Sequence, residues 1–169
     1  TYGLPVIVTR STNNYGPYQF PEKFLARLIT NGLTAKNLPV YGRGKNVRDW
    51  LYVEDNCRAI DLILQKGKPG EIYNIGQGGQ EYNNLEIAKL LAKKLGVEVN
   101  FVADRPGHDF RYALNYGKIK KLGHRSHYDF PKGLEQTIAW YQQNSWWWQP
   151  LKKKAERIYK NWGKRSRAS

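Results

Sequence analysis

The sequence predicts an α/β fold, in which short strands alternate with amphipathic helices along most of the 169 residues. Apolar, β-branched runs bounded by turn residues recur along the chain, as buried strands require. Between these runs, apolar residues recur three or four positions apart and stop near a glycine, as helices packed on a sheet do. The composition, 40% hydrophobic and 14% aromatic, excludes a disordered or collagen-like chain.

The first half of the chain contains three predicted strands and two predicted helices. The apolar run over 4–10 predicts a buried strand, and the Ser, Asn, Gly and Pro residues of 11–17 predict a loop. Pro21 begins a helix whose apolar face comprises Phe24, Leu25, Leu28 and Ile29 and which ends near Gly32. A short strand around Val40–Tyr41 enters the turn Gly42-Arg43-Gly44. Residues 47–53 form a strand, after which Asp55 is the expected N-cap of a helix that stops at Gly67.

The second half repeats the alternation. Residues 71–76 predict a strand, and Asn83 with Glu86 three positions later predicts a capping box for a helix over 84–95 that Gly96 ends. Val97, Val99 and Phe101 alternate with polar residues, as in a half-buried strand. A last core helix is expected near 132–143.

Charge and cysteine content restrict the class of protein. The net charge is +14, and residues 152–167 carry +7 of it, with eight basic residues against Glu156, so the pI alone does not indicate a nucleic-acid-binding surface. The single Cys57 excludes an internal disulfide and favours a reducing cytoplasm. No apolar run reaches 18 residues, and no signal-peptide pattern is present. The absence of Met predicts that the sequence is a piece of a longer protein.

Few patterns in the chain indicate self-contained catalysis. No Gly-x-Gly-x-x-Gly fingerprint occurs, and the glycines at 42–44 and 76–79 read as turns. The three His residues and one Cys lack metal-ligand spacing, so no metal site is expected. No Gly-x-Ser-x-Gly elbow presents a nucleophile.

Four cationic side chains, in contrast, suggest an anion-binding site. They lie in or beside loops rich in Gly, Pro or Asn, where backbone donors and a cation can converge on a phosphate. Ordinary solvated charges are the alternative interpretation of each one alone. Tyr41, which follows Pro39 by two residues, either stacks on a nucleotide base or is a plain strand aromatic. The four cations are Lys23, Arg48, Arg105 and His108.

Five motifs, in order and spacing, resemble the C-terminal half of dTDP-glucose 4,6-dehydratases, which are extended short-chain dehydrogenases/reductases. The resemblance runs from residue 1 to about residue 142, and its first and last motifs separate it from UDP-sugar epimerases. It implies a Rossmann-like parallel sheet, of which this chain has the last strands, plus a small α/β substrate-binding domain. The motifs are NNYGPYQFPEK from Asn13, PVYG from Pro39, VRDWLYVED from Val47, YNIG from Tyr73 and DRPGHD from Asp104.

The resemblance also implies roles for ten positions. Nine would bind the sugar nucleotide, with Tyr41 stacking on the thymine and the cations after it holding the diphosphate. One would lie on the NAD side. The substrate-binding positions are Asn13, Lys23, Phe24, Pro39, Tyr41, Arg48, Asn83, Arg105 and His108, and the cofactor-side position is Asn14.

In that family the NAD fingerprint, the Tyr-x-x-x-Lys pair and the acid/base residues precede the strand that begins here. We therefore expect none of them in this chain, no catalytic residue, and a chain that is inactive alone. The partners implied are a dTDP-sugar and the remaining Rossmann portion. The alternatives are a stand-alone nucleotide-sugar or anion-binding module, or a fragment of another nucleotide-sugar epimerase or dehydratase.

The sequence divides at about residue 144. Residues 1–144 form the expected nucleotide-sugar-binding portion, and 145–169 form a Trp-rich, basic tail that is expected to be helical. Leu151, Ala155, Ile158 and Trp162 give that helix an apolar stripe. The stripe fits docking on the protein itself or on its missing half, contact with an acidic partner or membrane surface, or, less well, nucleic acid.

Overall fold

The computed structural model describes residues 2–79, 81–104, 107, 109–112 and 114–165, with the backbone alone for 158–165. These residues form an α/β structure, as predicted. The strands are β1 (Val8–Ser11), β2 (Asn13–Tyr15), β3 (Leu38–Tyr41), β4 (Val47–Arg48), β5 (Trp50–Tyr52), β6 (Ile72–Ile75), β7 (Tyr82–Asn83) and β8 (Val99–Val102). The helices are α1 (Phe24–Gly32), α2 (Val53–Lys66), α3 (Asn84–Leu95), α4 (Gly117–Lys121), α5 (Phe130–Gln143) and α6 (Ser145–Arg165).

The strands pair in twos, and three of the four pairs that the structure describes are parallel. β1 pairs with β6, β2 with β5, and β3 with β8, in each case with crossing connections between them. The fourth pair, β4 with β7, is antiparallel and joins Val47 to Asn83 and Arg48 to Tyr82. Parallel partners require helical crossovers, which α1, α2 and α3 supply.

Two hydrophobic clusters hold these pairs. The larger lies among α1, α3, α5, β3 and β5 and contains fully buried Leu28, Ile87 and Leu134. The smaller packs Ala59 and Ile63 of α2 against β5, β6 and α4. The capping box at Asn83 is present, and Gly96 ends α3 in a left-handed conformation at φ +68°, so the predicted bounds of this helix are confirmed.

Several predicted boundaries are wrong: the predicted loop 11–17 contains β2, the helix predicted from Pro21 begins at Phe24, and the single strand predicted over 47–53 is divided into β4 and β5. Two further differences have a physical reason in the contacts. The first strand covers only Val8–Ser11, because only this part of the apolar run finds a partner in β6. Asp55 lies within the first turn of α2 rather than at its N-cap. Its fully buried carboxylate instead accepts the main-chain N–H groups of His127 and Tyr128, each at 3.0 Å, and so holds the segment before α5.

Helix α6 packs on the body of the protein through Trp148, Lys152 and Ala155, all buried. The Trp148 indole N–H donates to the carbonyl of Tyr141 at 2.6 Å. This buried face differs from the predicted apolar stripe. Of the predicted residues, Ala155 is buried but Leu151 is only half-buried. The side chains of Ile158 and Trp162, the other two members of that predicted stripe, lie outside the described residues. Within the described part of the chain, no helix combines the length and apolarity needed to cross a bilayer.

Candidate functional site

Arg48 is the central side chain of the predicted site, and the structure buries it to 7% exposure. Its guanidinium donates to the carbonyls of Val47, Asp109 and Phe110 at 2.7, 2.8 and 3.3 Å. It also lies 4.7 Å from the centre of the Tyr112 ring. Burial lowers the pKa of Arg48, but an arginine remains charged at neutral pH. Arg48 therefore carries a buried positive charge whose hydrogen-bond partners are neutral carbonyls.

The segment 109–112 is fixed against β4 by further contacts. The Val47 N–H donates to the Phe110 carbonyl at 2.8 Å, and the Asn46 amide donates to the Asp109 carbonyl at 3.1 Å. The Tyr112 hydroxyl donates to the Asp109 carboxylate, which raises the pKa of Tyr112. This segment directly follows the predicted diphosphate-binding residues Arg105 and His108, which lie outside the described residues.

The turn after β3 and the loop after β8 lie side by side, at the carboxyl ends of the two strands. Because β3 and β8 are parallel with Tyr41 beside Val102, the turn after β3 meets the loop after β8. Gly42 has φ +54°, and a Cβ there would lie 2.6 Å from the Asp104 carboxylate. Only glycine fits this close approach without displacing Asp104.

Tyr41 and Pro39 lie on β3, as predicted. The Tyr41 hydroxyl accepts a hydrogen bond from Arg27 at 2.9 Å, and the Arg27 guanidinium lies 5.9 Å from the centre of the ring. Tyr41 is half-buried and Pro39 is buried. Arg27 of α1 thus holds the Tyr41 ring at the end of β3.

Lys23 and Phe24 stand at the start of α1. The exposed Lys23 ammonium forms an ion pair at 3.0 Å with the half-buried Glu22. The Phe24 ring stacks on Trp50, with centroids 5.9 Å apart and planes at 27°. Asn13 lies opposite Trp50 in the β2–β5 register, so these residues belong to one neighbourhood.

Asn14 has a side-chain oxygen that is buried and has no hydrogen-bond partner among the described residues. Its amide N–H donates to the carbonyl of Thr12 at 3.0 Å, which fixes the orientation of the side chain. An unpaired buried acceptor is costly unless a ligand supplies a donor. The position thus fits the predicted contact with a cofactor.

Asn83 reaches the site through its pairing with Val47. Its side-chain oxygen accepts the Glu86 N–H at 2.9 Å, and the Glu86 carboxylate accepts the Asn83 N–H at 2.9 Å. The next two N–H groups of α3, at Asn84 and Leu85, donate to the carbonyls of Asn46 and Gly44. Among the described residues, the N–H groups at the start of α3 are therefore already bonded, and the side-chain amide N–H groups of Asn83 are left for a ligand.

The structure thus brings Arg48 together with Asn83 of the paired strand and with the segment 109–112, and it brings the turn after Tyr41 together with Asp104. Arg105 and His108 lie outside the described residues. Lys23, Phe24 and Asn13 form a neighbouring group around Trp50. The assignment of these ten positions to a ligand stays a prediction. Sequence reasoning missed Asn46, Arg27 and Tyr112, because their contacts join segments up to 63 residues apart and leave no local pattern.

The Tyr-x-x-x-Lys spacing does occur in the chain, contrary to the sequence expectation. The Tyr116 hydroxyl donates to Asp49, and both burial and this carboxylate raise its pKa, whereas a catalytic tyrosine needs a lowered one. The Tyr128 hydroxyl donates to Glu54 at 3.3 Å, and that of Tyr41 is bound by Arg27. The pairs with this spacing are Tyr41/Lys45, Tyr116/Lys120 and Tyr128/Lys132. In the described part of the chain, no three His, Cys, Asp or Glu side chains group as metal ligands.

Comparison with known proteins identifies the family. Residues 1–76 match the model of the NAD dependent epimerase/dehydratase family. The dTDP-glucose 4,6-dehydratase of Streptomyces niveus is 51% identical over 156 residues, which are 90% of this chain and 46% of that protein. The crystal structure of DesIV, a dTDP-glucose 4,6-dehydratase from Streptomyces venezuelae with NAD and TYD bound, is 50% identical with a TM-score of 0.85, and the match covers 89% of this chain and 48% of that one.

A more distant likeness extends to an epimerase. The UDP-glucose 4-epimerase of Thermotoga maritima, solved with UDP-glucose, is 32% identical with a TM-score of 0.79 over 84% of this chain and 47% of that one. The chain spans about half the length of the curated relatives it matches. With its Rossmann-like strand pairs and about 50% identity to several members, this chain belongs to the NAD dependent epimerase/dehydratase family.

Proposed function

We propose that residues 1–144 of this chain form the substrate-binding part of an NAD-dependent dTDP-glucose 4,6-dehydratase, which converts dTDP-glucose to dTDP-4-keto-6-deoxyglucose. The observation that carries the proposal is the buried charge of Arg48. In the described part of the chain, no carboxylate lies within ion-pair distance of this guanidinium. A buried cation needs compensation, and the Asp109 carboxylate provides some of it from beyond ion-pair distance. The two phosphoryl groups of a nucleotide sugar would complete it.

The remaining donors of Arg48 suit this role. Three of its hydrogen bonds go to main-chain carbonyls and use N–H groups of Nη1 and Nη2. The Nε–H and one Nη2–H are left to donate to phosphoryl oxygens. Arg105 and His108 would join from the adjacent loop, and the Asn83 amide from the start of α3.

The nucleoside end of the substrate would lie against Tyr41. Tyr41 is half-buried at the end of β3, where its ring would stack on the thymine, with its hydroxyl held by Arg27. Pro39, on the same strand, Lys23, Phe24 and Asn13 would complete the sugar-nucleotide side.

NAD would supply the hydride-accepting chemistry of the complete enzyme. In this chain the unpaired side-chain oxygen of Asn14 would accept a hydrogen bond from it, and its fixed amide makes that acceptor available without rearrangement. The tyrosine and acid/base residues of the reaction would come from the rest of the protein, so this chain alone would be inactive. We place the complete protein in the cytoplasm, in keeping with the free, exposed thiol of Cys57, the one cysteine of this chain.

The rest of the protein would pack on β1. All four residues of this strand are exposed, although a parallel strand is ordinarily buried on both faces. Leu4, Val6 and Val8 are 69, 58 and 46% exposed and form an apolar run on and before it. Covering them would remove this apolar surface from water.

Calorimetry with dTDP tests the binding role. We expect Arg48→Ala and Arg105→Ala each to weaken binding by about 1.5–3 kcal/mol, as the loss of a charge-assisted hydrogen bond does. Lys93→Ala, which removes an exposed cation of α3, is the matched control and should bind dTDP like the wild type. Unchanged affinity in both arginine variants would refute the diphosphate site.

Turnover distinguishes the candidate functions. The full-length protein that contains this chain should release dTDP-4-keto-6-deoxyglucose from dTDP-glucose, and the 169-residue chain should not. The likeness to UDP-glucose 4-epimerase makes a UDP-sugar 4-epimerase the second candidate, and interconversion of UDP-glucose and UDP-galactose by the full-length protein would favour it. Binding of dTDP with neither activity would favour the stand-alone module.

A further inference from the structure

A cleft of about 230 Å³ opens beside the carboxyl end of β6, between the residues after that strand, helix α4 and the segment 124–126. The cleft is lined by Tyr116, whose hydroxyl donates to Asp49, whereas the preceding residue, Arg48, contacts the segment 109–112. Nothing in the proposed nucleotide-sugar site uses it. Its polar lining comprises Gln77, Tyr116, Lys120, His124, Arg125 and Ser126.

Three of these side chains have a buried polar atom without a hydrogen-bond partner among the described residues. They are the Gln77 Oε1, the His124 Nε2 and the Ser126 Oγ. His124 is only 9% exposed, and burial lowers its pKa, so its ring is neutral near pH 7. Three unpaired polar atoms around one cleft are costly for the empty protein, and a polar ligand would satisfy them.

The hydrogen-bonding character of the Gln77 oxygen is fixed by the partner of its amide nitrogen. The Gln77 Nε2 donates to the carbonyl of Tyr128 at 3.3 Å, so that Oε1 remains as a pure acceptor. The Ser126 hydroxyl both donates and accepts. The Tyr116 hydroxyl is already used, because it donates to Asp49, a residue that does not line the cleft.

Two cations stand at the edge of the cleft, whereas the buried Asp49 carboxylate lies behind Gly76 and accepts the Tyr116 hydroxyl. Lys120 and Arg125 are exposed at its edge, and neither forms an ion pair with any described residue. The Lys120 ammonium reaches over residue 78, since a Cβ placed on that glycine would lie 3.3 Å from Nζ. Two cations and a serine hydroxyl are the usual partners of a tetrahedral oxyanion.

We propose that this cleft binds hydrogen phosphate, with Lys120, Arg125 and Ser126 on its anionic oxygens and the Gln77 carbonyl oxygen accepting its single O–H. The acceptor at Gln77 selects the ligand: a fully deprotonated oxyanion such as sulfate would place lone pairs against it, whereas hydrogen phosphate presents one donor. This inference is independent of the proposed function.

The test is a calorimetric titration of the full-length protein with inorganic phosphate and with sulfate, at pH 8 and constant ionic strength. We expect phosphate to bind about tenfold or more tightly than sulfate. Lys120→Ala and Arg125→Ala should each weaken phosphate binding about tenfold or more. Lys121→Ala, which removes the neighbouring exposed lysine of α4 outside the cleft, should leave it unchanged.

Gln77→Leu tests whether the Gln77 carbonyl oxygen causes the preference for phosphate over sulfate. This variant should bring phosphate and sulfate to similar affinities, because it removes the acceptor and leaves the cations. Absence of phosphate binding at millimolar concentration would overturn the proposal. Equal affinities of the wild type for the two anions would also overturn it, as would equal losses in the Lys120 and Lys121 variants, since both indicate diffuse attraction to a basic surface.

Discussion

Replacing Lys152 of α6 by methionine should stabilise the protein. Lys152 is 8% exposed, its ammonium donates to the Thr34 hydroxyl at 3.1 Å, and the Trp148 ring centre is 5.8 Å away. Burial first, then the charges of Lys36 and Arg27, lower the pKa of Lys152 from 10.5 to about 8, against the opposing charge of Glu156. Methionine has a similar length and leaves no charge to desolvate.

The size of the effect follows from the pKa. A difference of about 2.5 pH units at about 1.36 kcal/mol each gives about 3 kcal/mol as the cost of the charged form at pH 7. The lost hydrogen bond to Thr34 offsets about 1 kcal/mol. We therefore expect Lys152→Met to raise the free energy of unfolding by about 2 kcal/mol at pH 7.

The pH dependence has a definite sign. Between about pH 8 and 10.5 the unfolded chain holds a proton at Lys152 that the folded chain has released, so stability rises with pH in this window. Below pH 8 the full cost is present, and above 10.5 it is gone. The advantage of Lys152→Met over the wild type should accordingly shrink between pH 8 and 10.5.

Urea denaturation followed by tryptophan fluorescence measures both quantities. Lys153→Met is the matched control, because Lys153 is the adjacent, exposed lysine of the same helix. It should change the free energy of unfolding by less than about 0.5 kcal/mol. If Lys152→Met destabilised the protein, or if its advantage stayed constant from pH 7 to 10.5, the ammonium would not be desolvated and the packing of α6 described above would be wrong.

Two further predictions concern side chains that accept main-chain N–H groups. Asn83→Ala should lower the free energy of unfolding by about 1 kcal/mol, because it removes the hydrogen bond that caps α3 at the Glu86 N–H. Asn83→Asp should retain most of this stability, and thermal denaturation of both variants measures the difference. Asp55→Asn should lower the free energy of unfolding by about 1–3 kcal/mol, because a neutral amide accepts the N–H groups of His127 and Tyr128 less well than a buried carboxylate does. Urea denaturation measures this loss, and a loss no larger than that of the exposed control Asp61→Asn would contradict the prediction.

The sequence determined the elements whose signals are local. The capping box of Asn83 and Glu86, the left-handed stop at Gly96 and the apolar face of α1 each depend on a few neighbouring residues. The bounds of α3 and the end of α1 therefore follow from the sequence itself, whereas the start of α1 does not. The motifs that identify the family are equally local. The sequence alone therefore determined the α/β class and the family.

Tertiary structure decided what each charged side chain contacts. Arg48 lies in a recognisable motif, but only folding shows that it holds the carbonyls of residues 109 and 110 while keeping a buried charge. Asp55 reads as a helix cap and instead holds a segment 72 residues away. Lys152 reads as a solvated lysine and lies buried beside Trp148. Burial and long-range hydrogen bonds depend on which surfaces meet, and that depends on the packing of the whole chain rather than on neighbouring residues.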